Sequence, residues 1–232
     1  MDPFVIKASV ILTSYNRPYY LMQSISSVLN QSTRDFELII CDDNSPDPLV
    51  REILDTFEEH DSHVRVYHSE VKEEDRYKTA RYATMINHAV RKMAKGEYIT
   101  YLTDDDIFYP DRLERGIEML DANPDYQVIY FNQNVLSIDL AIEGVRHFND
   151  EPMNPAYNKI DHNSVMHRNK LFFQVGGWPD SPGIWGGADA HFFKRINDRG
   201  ILFMPVGGHP GDGHRYHTES VQWKLANDIF FP

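Results

Sequence analysis

"GEYITYLTDDDIFYPDRLERG", residues 96 to 116, is the stretch on which the fold turns. Its first half alternates as a strand does and ends at Thr103, where three carboxylates follow in a row, Asp104, Asp105 and Asp106. From Asp111 to about Ala122 the apolar spacing is that of a helix. Adjacent carboxylates repel and raise one another's pKa unless a cation sits among them, so the triplet predicts a positively charged partner.

The same unit recurs upstream. Val5 to Thr13 reads as a buried strand, and "SYNRPYY" turns into a helical segment from Leu21 to Leu29, with Met22, Ile25, Val28 and Leu29 at helical spacing. "FELIICDDNS" is a strand ending in acids and turn residues, "DPLVREILDTFEEH" a helix and "VRVYHS" a further strand. A long helix is expected from Arg76 to Ala94. Strands alternating with helices give an α/β fold with a mostly parallel central sheet and helices on both faces. Such sheets bind ligands beyond the carboxyl ends of their strands, so Thr13 to Asn16, Asp42 to Asn44 and Thr103 to Asp106 are expected along one rim.

Downstream, "YQVIYFNQNVL" reads as one strand, residues 138 to 160 as irregular, and "NSVMHRNKLFFQVGGWPD" as a strand and short helix closed by Gly176 and Gly177. "GADAHFFKRINDRG" is a helix after a glycine turn, and the tail "VGGHPGDGHRYHTESVQW" is expected to be loop. With 232 residues and no internal repeat, a single domain is expected.

Composition narrows the function. Apolar residues at 41% and charged residues at 25% are ordinary globular values. A formal charge of −12 argues against nucleic acid, whose phosphates need clustered Lys and Arg. Cys41, the only cysteine, is expected to be a buried thiol, which excludes an intrachain disulfide or cysteine zinc site. The N-terminus lacks a basic leader, and its apolar run is too short to span a bilayer, so a soluble cytoplasmic protein without a transmembrane segment is expected.

The triple aspartate suits a hard divalent cation, Mn²⁺ or Mg²⁺, held by one or two carboxylates and a ligand's phosphates. The alternative is a solvated turn in which Asp106 or Asp111 caps the next helix. His209, His214 and His217 match no compact zinc spacing and read as polar surface.

"SVILTSYNRPYYLMQSISSVLNQ", with "FELIICDDNS", "GEYITYLTDDD" and "GADAHFF", resembles the family 2 nucleotide-sugar glycosyltransferases of GT-A fold, which implies a nucleotide-binding half up to about residue 106 and an acceptor-binding half from about 107. "TSYN", "DDNS", "KTARYA", "GEYITYLTDD" and "IDHNSVMHR", in that order, are similar to its spore-coat polysaccharide members. The resemblance implies a metal-dependent, inverting transfer of sugar from a UDP- or dTDP-sugar to an acceptor hydroxyl in polysaccharide or glycoconjugate synthesis. It implies that Thr13, Tyr15 and Asp43 bind the nucleoside, Asp104 the ribose, Asp105 or Asp106 the metal, and Arg76 the diphosphate. Asp189 corresponds to the general base, Asp161 and His162 to a pair on the donor-sugar and acceptor side, and His217 of "RYH" to a histidine completing the metal or diphosphate site.

Elementary chemistry agrees with part of this. An aromatic face stacks on a base, and a carboxylate accepts the N3–H that uracil and thymine carry and cytosine lacks. Each residue also has a structural alternative: Tyr15 a packed loop aromatic, Asp43 a turn former, Arg76 and Arg81 surface ion pairs with Glu73 and Asp75, Asp189 a helix-dipole partner. A magnesium-dependent phosphohydrolase or nucleotidyltransferase, or a silent sugar-nucleotide-binding protein, would use the same strand-end acids. Residues 138 to 160 and 205 to 220 are expected to shape the acceptor site.

Overall fold

Strand β1 (Ala8–Ser14) is buried at all seven positions, and so is β2 (Phe36–Asp42), as expected of parallel strands covered on both faces. A computed structural model describes residues 6–146, 148, 150–154, 160–184, 187–218 and 220. Val5, Gly186 and the end of the tail from 221 therefore lie outside the described residues. Between the first two strands runs α1 (Pro18–Leu29), which buries Leu21, Ser24, Ile25 and Val28. Met22, expected on the inner stripe, is on the outer face instead.

Helix α2 (Pro48–His60) begins at Asp47, whose side chain accepts from the Leu49 N–H at 2.9 Å, with Pro48 in the first turn. Strand β3 (Val64–His68) follows. The predicted long helix is broken: a 3₁₀ turn at Glu73–Lys78 precedes α3 (Arg81–Lys92). The break swings Arg76 and Arg81 inward together. Strand β4 (Tyr98–Thr103) enters past Gly96, where a Cβ would meet the Ser9 backbone nitrogen at 2.5 Å. Only glycine permits that approach.

The chain continues through β5 (Ile107–Phe108), α4 (Arg112–Ala122), β6 (Val128–Tyr130) and β7 (Gln133–Leu136). "YQVIYFNQNVL" is thus two strands, and they belong to different sheets. Strand β8 (Ile142–Arg146) lies within the segment read as irregular. Then come β9 (Val165–Arg168), α5 (Asn169–Val175), α6 (Ala188–Asn197), β10 (Phe203–Pro205) and β11 (Asp212–Arg215). Gly176 and Gly177, with φ of 87° and 77°, close α5 as expected. The tail read as loop holds β11, because two of its four positions match β5 and all four match β7.

The main sheet has the order β10-β6-β9-β4-β1-β2-β3, with β9 antiparallel to both neighbours, and the second sheet the order β5-β11-β7-β8. Alternation splits the core in two. Val10, Leu12, Leu38 and Ile40 face α1, α2 and α4, while Ile11, Ile39 and Cys41 face α3, α5 and α6. Each fully buried Leu or Ile here contributes about 1.5–3 kcal/mol. Cys41 is buried as expected, and burial pushes its thiol up to about 12. Among the described residues no helix is long and apolar enough to cross a membrane.

Candidate active site

Thr13 pairs in register with Cys41 on one side and Thr103 on the other, so the carboxyl ends of β1, β2 and β4 lie side by side. The turns beyond them are tied together. Asn16 and Asn44 both take left-handed backbone (φ 58° and 59°), a conformation asparagine tolerates best after glycine. The Asn16 N–H donates to Ser45 Oγ at 2.9 Å, and the Asp47 N–H donates to Asn16 Oδ1 at 3.1 Å.

At one end of this rim Asp43 is clamped by two buried guanidinium groups. Arg76 Nη1 donates to Oδ2 at 2.5 Å, while Arg81 donates to Oδ1 through Nε at 2.9 Å and Nη2 at 2.6 Å. The Arg76 guanidinium also lies 3.9 Å from the centre of the Tyr15 ring. Arg76, expected at a diphosphate, is therefore placed with the aromatic and Asp43, within a 3₁₀ turn at Glu73–Lys78. Nor is Arg81 a surface ion pair, since it is buried and also donates to Ser69 Oγ at 3.0 Å.

The aspartate cluster adjoins this end directly: the Tyr15 N–H donates to Asp104 Oδ2 at 2.8 Å. All three acids are buried, so each negative charge needs a donor. The cation that the sequence demanded is Arg17, whose Nη1 bridges Asp104 Oδ1 at 2.9 Å and Asp105 Oδ2 at 2.8 Å. His217 Nε2 lies 3.0 Å from the same Asp105 oxygen. Burial opposes charge on Asp105, but His217 and Arg17 outweigh it and hold the carboxyl well below its usual range. Burial, with Asp105 alongside, pushes Asp104 up to about 6 despite Arg17.

Asp106 is consumed by the protein itself. The Arg215 N–H donates to Oδ1 at 2.7 Å, and Oδ2 meets Thr103 Oγ1 at 3.1 Å, Asn163 Nδ2, and His214 Nδ1 at 3.0 Å. Burial works against the His214 charge, yet Asp106 raises its pKa to about 9. These contacts exist because β11 pairs with β5 immediately after the triplet, Gly213 opposite Ile107. His214 and His217, read from sequence as polar surface, are therefore buried against the acids, and only His209 stays outside, on Asp111. Asp111 precedes α4 without making a capping bond, and Asp106 faces inward, so neither caps that helix.

A divalent cation could use Asp105 Oδ2 and His217 Nε2, an oxygen and a nitrogen donor already 3.0 Å apart. The donor set fits Mn²⁺ or Mg²⁺ only if further oxygens come from a ligand. Among the described residues no group of three or more His, Cys, Asp or Glu is arranged to hold a metal alone.

Across the site, Asp161, His162 and Asp189 come together. His162 Nδ1 is 3.8 Å from Asp161 Oδ1 and 3.8 Å from Asp189 Oδ2. His162 sits among aromatics, with ring centres at 5.9 Å for Tyr82 and 5.7 Å for Trp178. Burial disfavours its charge, but Asp189 and Asp161 raise its pKa overall. Asp161 is lowered, since His162 and His214 overcome its burial. Asp189 stands in the first turn of α6, its Oδ1 accepting from the Ala190 N–H at 2.8 Å and its side chain partly open to solvent.

Arg17, Arg81, Asn163, His214 and Arg215 were missed as site residues. The only signal for Arg17 was its place in "SYNRP", directly after a strand end that faces three acids. Of the segments expected to shape an acceptor site, 147, 149, 155–159 and 219 lie outside the described residues.

The sequence profile of glycosyl transferase family 2 matches residues 9–173. Protein CgeD of Bacillus subtilis (strain 168) is 39% identical over 208 residues, which is 86% of this chain and 48% of CgeD. The chain thus spans about half the length of that relative. Among solved structures, S. aureus TarS 1-349 in complex with UDP-GlcNAc superposes with a TM-score of 0.71 at 15% identity, covering 91% of this chain and 59% of that one. GalNAc-T7 with UDP, GalNAc and Mn²⁺ gives a TM-score of 0.70 at 17% identity, covering 94% and 45%. These structures have the GT-A fold, and the chain shares it.

Proposed function

The chain belongs to glycosyl transferase family 2, and from that premise we propose that it transfers a sugar from a UDP- or dTDP-sugar to an acceptor hydroxyl in glycan synthesis, inverting the anomeric centre. The observation that carries the reading is Arg76. Its planar guanidinium lies 3.9 Å over Tyr15 and donates an N–H to Asp43 Oδ2, the two contacts a pyrimidine bearing an N3–H would make. A base would take the place of the Arg76 guanidinium, which would move toward the diphosphate: Tyr15 would stack the base, Asp43 Oδ2 would accept N3–H, and Thr13 would border the nucleoside. A cytosine ring, with an acceptor at N3, would meet a carboxylate oxygen and be rejected.

The Tyr15 N–H bond to Asp104 makes the base end and the acid end contiguous, which supports Asp104 as the ribose contact. Asp105 and His217 would hold Mn²⁺ or Mg²⁺ together with diphosphate oxygens. Asp106 is assigned no metal role, because four donors already occupy its oxygens. When bound, the cation neutralises charge on the departing diphosphate. UDP-GlcNAc in TarS and UDP with Mn²⁺ in GalNAc-T7 support the donor class and the cation by analogy.

Asp189 would take the acceptor hydroxyl proton as that oxygen bonds to the anomeric carbon. The bond from that carbon to the diphosphate breaks, and its electron pair leaves with the diphosphate. One displacement inverts the centre. His162 stands between the two acids, its Nδ1 3.8 Å from Asp189 Oδ2 and 3.8 Å from Asp161 Oδ1, and would hold the base in position. The half of the chain beyond residue 106 would then receive the acceptor. Product analysis on a panel of nucleotide sugars with Mn²⁺ tests the reading: nucleoside diphosphate is expected, and inorganic phosphate or pyrophosphate would identify a phosphohydrolase or nucleotidyltransferase instead.

A further inference from the structure

Arg17 occupies the last position before α1, with Pro18 behind it fixing the helix start. Its side chain is 18% exposed and lies against two buried carboxylates. A single nitrogen, Nη1, makes both bonds, 2.9 Å to Asp104 Oδ1 and 2.8 Å to Asp105 Oδ2. Asp105 Oδ2 is also the oxygen 3.0 Å from His217 Nε2. The one carboxylate oxygen that pairs with the imidazole is therefore already engaged by a permanent cation, since a guanidinium does not lose its proton.

We propose that Arg17 is a resident counter-ion standing in the divalent cation's place at Asp105, so that the cation binds only together with a diphosphate onto which the Arg17 charge can pass. The inference rests on the metal reading above and adds a binding order to it. A divalent ion arriving alone competes with Nη1 for Asp105 Oδ2 and meets a like charge inside a buried site, where screening is weak. A nucleoside diphosphate brings negative oxygens that can accept Nη1 and release Asp105 Oδ2. Arg17 therefore holds Asp105 in the nucleotide-free site and contacts the diphosphate in the loaded one.

The test is calorimetric titration of Mn²⁺ into the nucleotide-free protein and into the protein saturated with UDP, with bound Mn²⁺ counted by electron paramagnetic resonance. The parent is expected to take Mn²⁺ weakly alone and far more tightly with UDP. Arg17→Gln should tighten nucleotide-free Mn²⁺ binding about tenfold or more, since a fixed charge in van der Waals range has gone, and should shrink the gain that UDP confers. Arg17→Met, close in length and uncharged, gives the same reading should the glutamine variant misfold. Arg17→Lys keeps the charge and should behave as the parent does. A merely structural role would weaken Mn²⁺ binding on substitution, so unchanged or weaker binding in the uncharged variants overturns the counter-ion. No Mn²⁺ uptake by the parent even with UDP would overturn both this inference and the metal reading beneath it.

Discussion

Replacing Asp43 with asparagine removes a charge that two buried arginines share. Three side-chain bonds are at stake, from Arg76 Nη1, Arg81 Nε and Arg81 Nη2, and all three side chains are nearly inaccessible, at 6%, 11% and 7% for Arg76, Arg81 and Asp43. Charge-assisted bonds are worth about 1.5–3 kcal/mol each, but they share one carboxylate and do not add. Asparagine keeps one acceptor oxygen and turns an N–H₂ toward a guanidinium. The better guide is a buried ion pair broken by removing one partner, about 3–5 kcal/mol. Urea denaturation at pH 7 is expected to show that loss, and Asp43→Asn combined with Arg81→Met should lose at least about 1 kcal/mol less than the two single changes summed. In the folded variant, discrimination between UDP and CDP should narrow. A stability loss under about 1 kcal/mol would refute the clamp as the local organiser.

The two neighbouring acids should separate by their effects. Asp106→Asn strands His214 and Asp105→Asn strands Arg17 and His217, so each should cost about 2–4 kcal/mol in denaturation, whereas Asp105→Asn alone should abolish the Mn²⁺ dependence of UDP binding in the folded variant; loss of that dependence in Asp106→Asn alone would exchange their roles. Chelation should weaken UDP binding to the parent about tenfold or more, because the diphosphate then has Arg17 alone to offset the charge of Asp104 and Asp105, and an unchanged calorimetric affinity would show that no cation takes part in nucleotide binding. His167 is fully buried, donates from Nδ1 to the Arg168 carbonyl and accepts the Tyr101 hydroxyl at 2.6 Å, and its pKa is pushed down to about 4 by burial. A depressed histidine stabilises the fold while neutral, so its contribution is present above about 6.5 and is lost as pH falls toward 4, a change of about 3 kcal/mol. The stability difference between parent and His167→Gln should shrink by that amount across the window, and a pH-independent difference would place the proton elsewhere.

The fold was legible because parallel strands buried on both faces leave continuous apolar runs, and polar strand ends mark the ligand rim. Thr13, Asp42 and Thr103 fall there for that reason. What escaped were contacts made between distant segments. No local pattern announces that β11 pairs with β5 and delivers His214 and Arg215 to Asp106, since glycine and histidine in "GDGHRYH" carry little strand propensity. Arg81 was misread because helical spacing offers a surface lattice with Glu73 and Asp75, while in the fold Asp43, distant in sequence, takes both Arg76 from the 3₁₀ turn and Arg81 from the start of α3. Asp189 at the start of α6 followed its glycine turn as read, and its approach to His162 came from packing across β9.

The transfer proposed for this site depends on Asp189, and its role as base can be measured without knowledge of the acceptor. With UDP-sugars and Mn²⁺ in solution, water serves as a slow acceptor, and release of UDP is followed for the parent and for Asp189→Asn. Asparagine preserves size and the bond to the Ala190 N–H but removes the basic oxygen. UDP is expected as the product from at least one donor, with a fall of about 10²-fold in its release in the variant and an unchanged UDP dissociation constant. Near-parent release from Asp189→Asn, or UDP affinity falling in step with activity, would contradict a base at Asp189 and return it to the role of a helix-start residue.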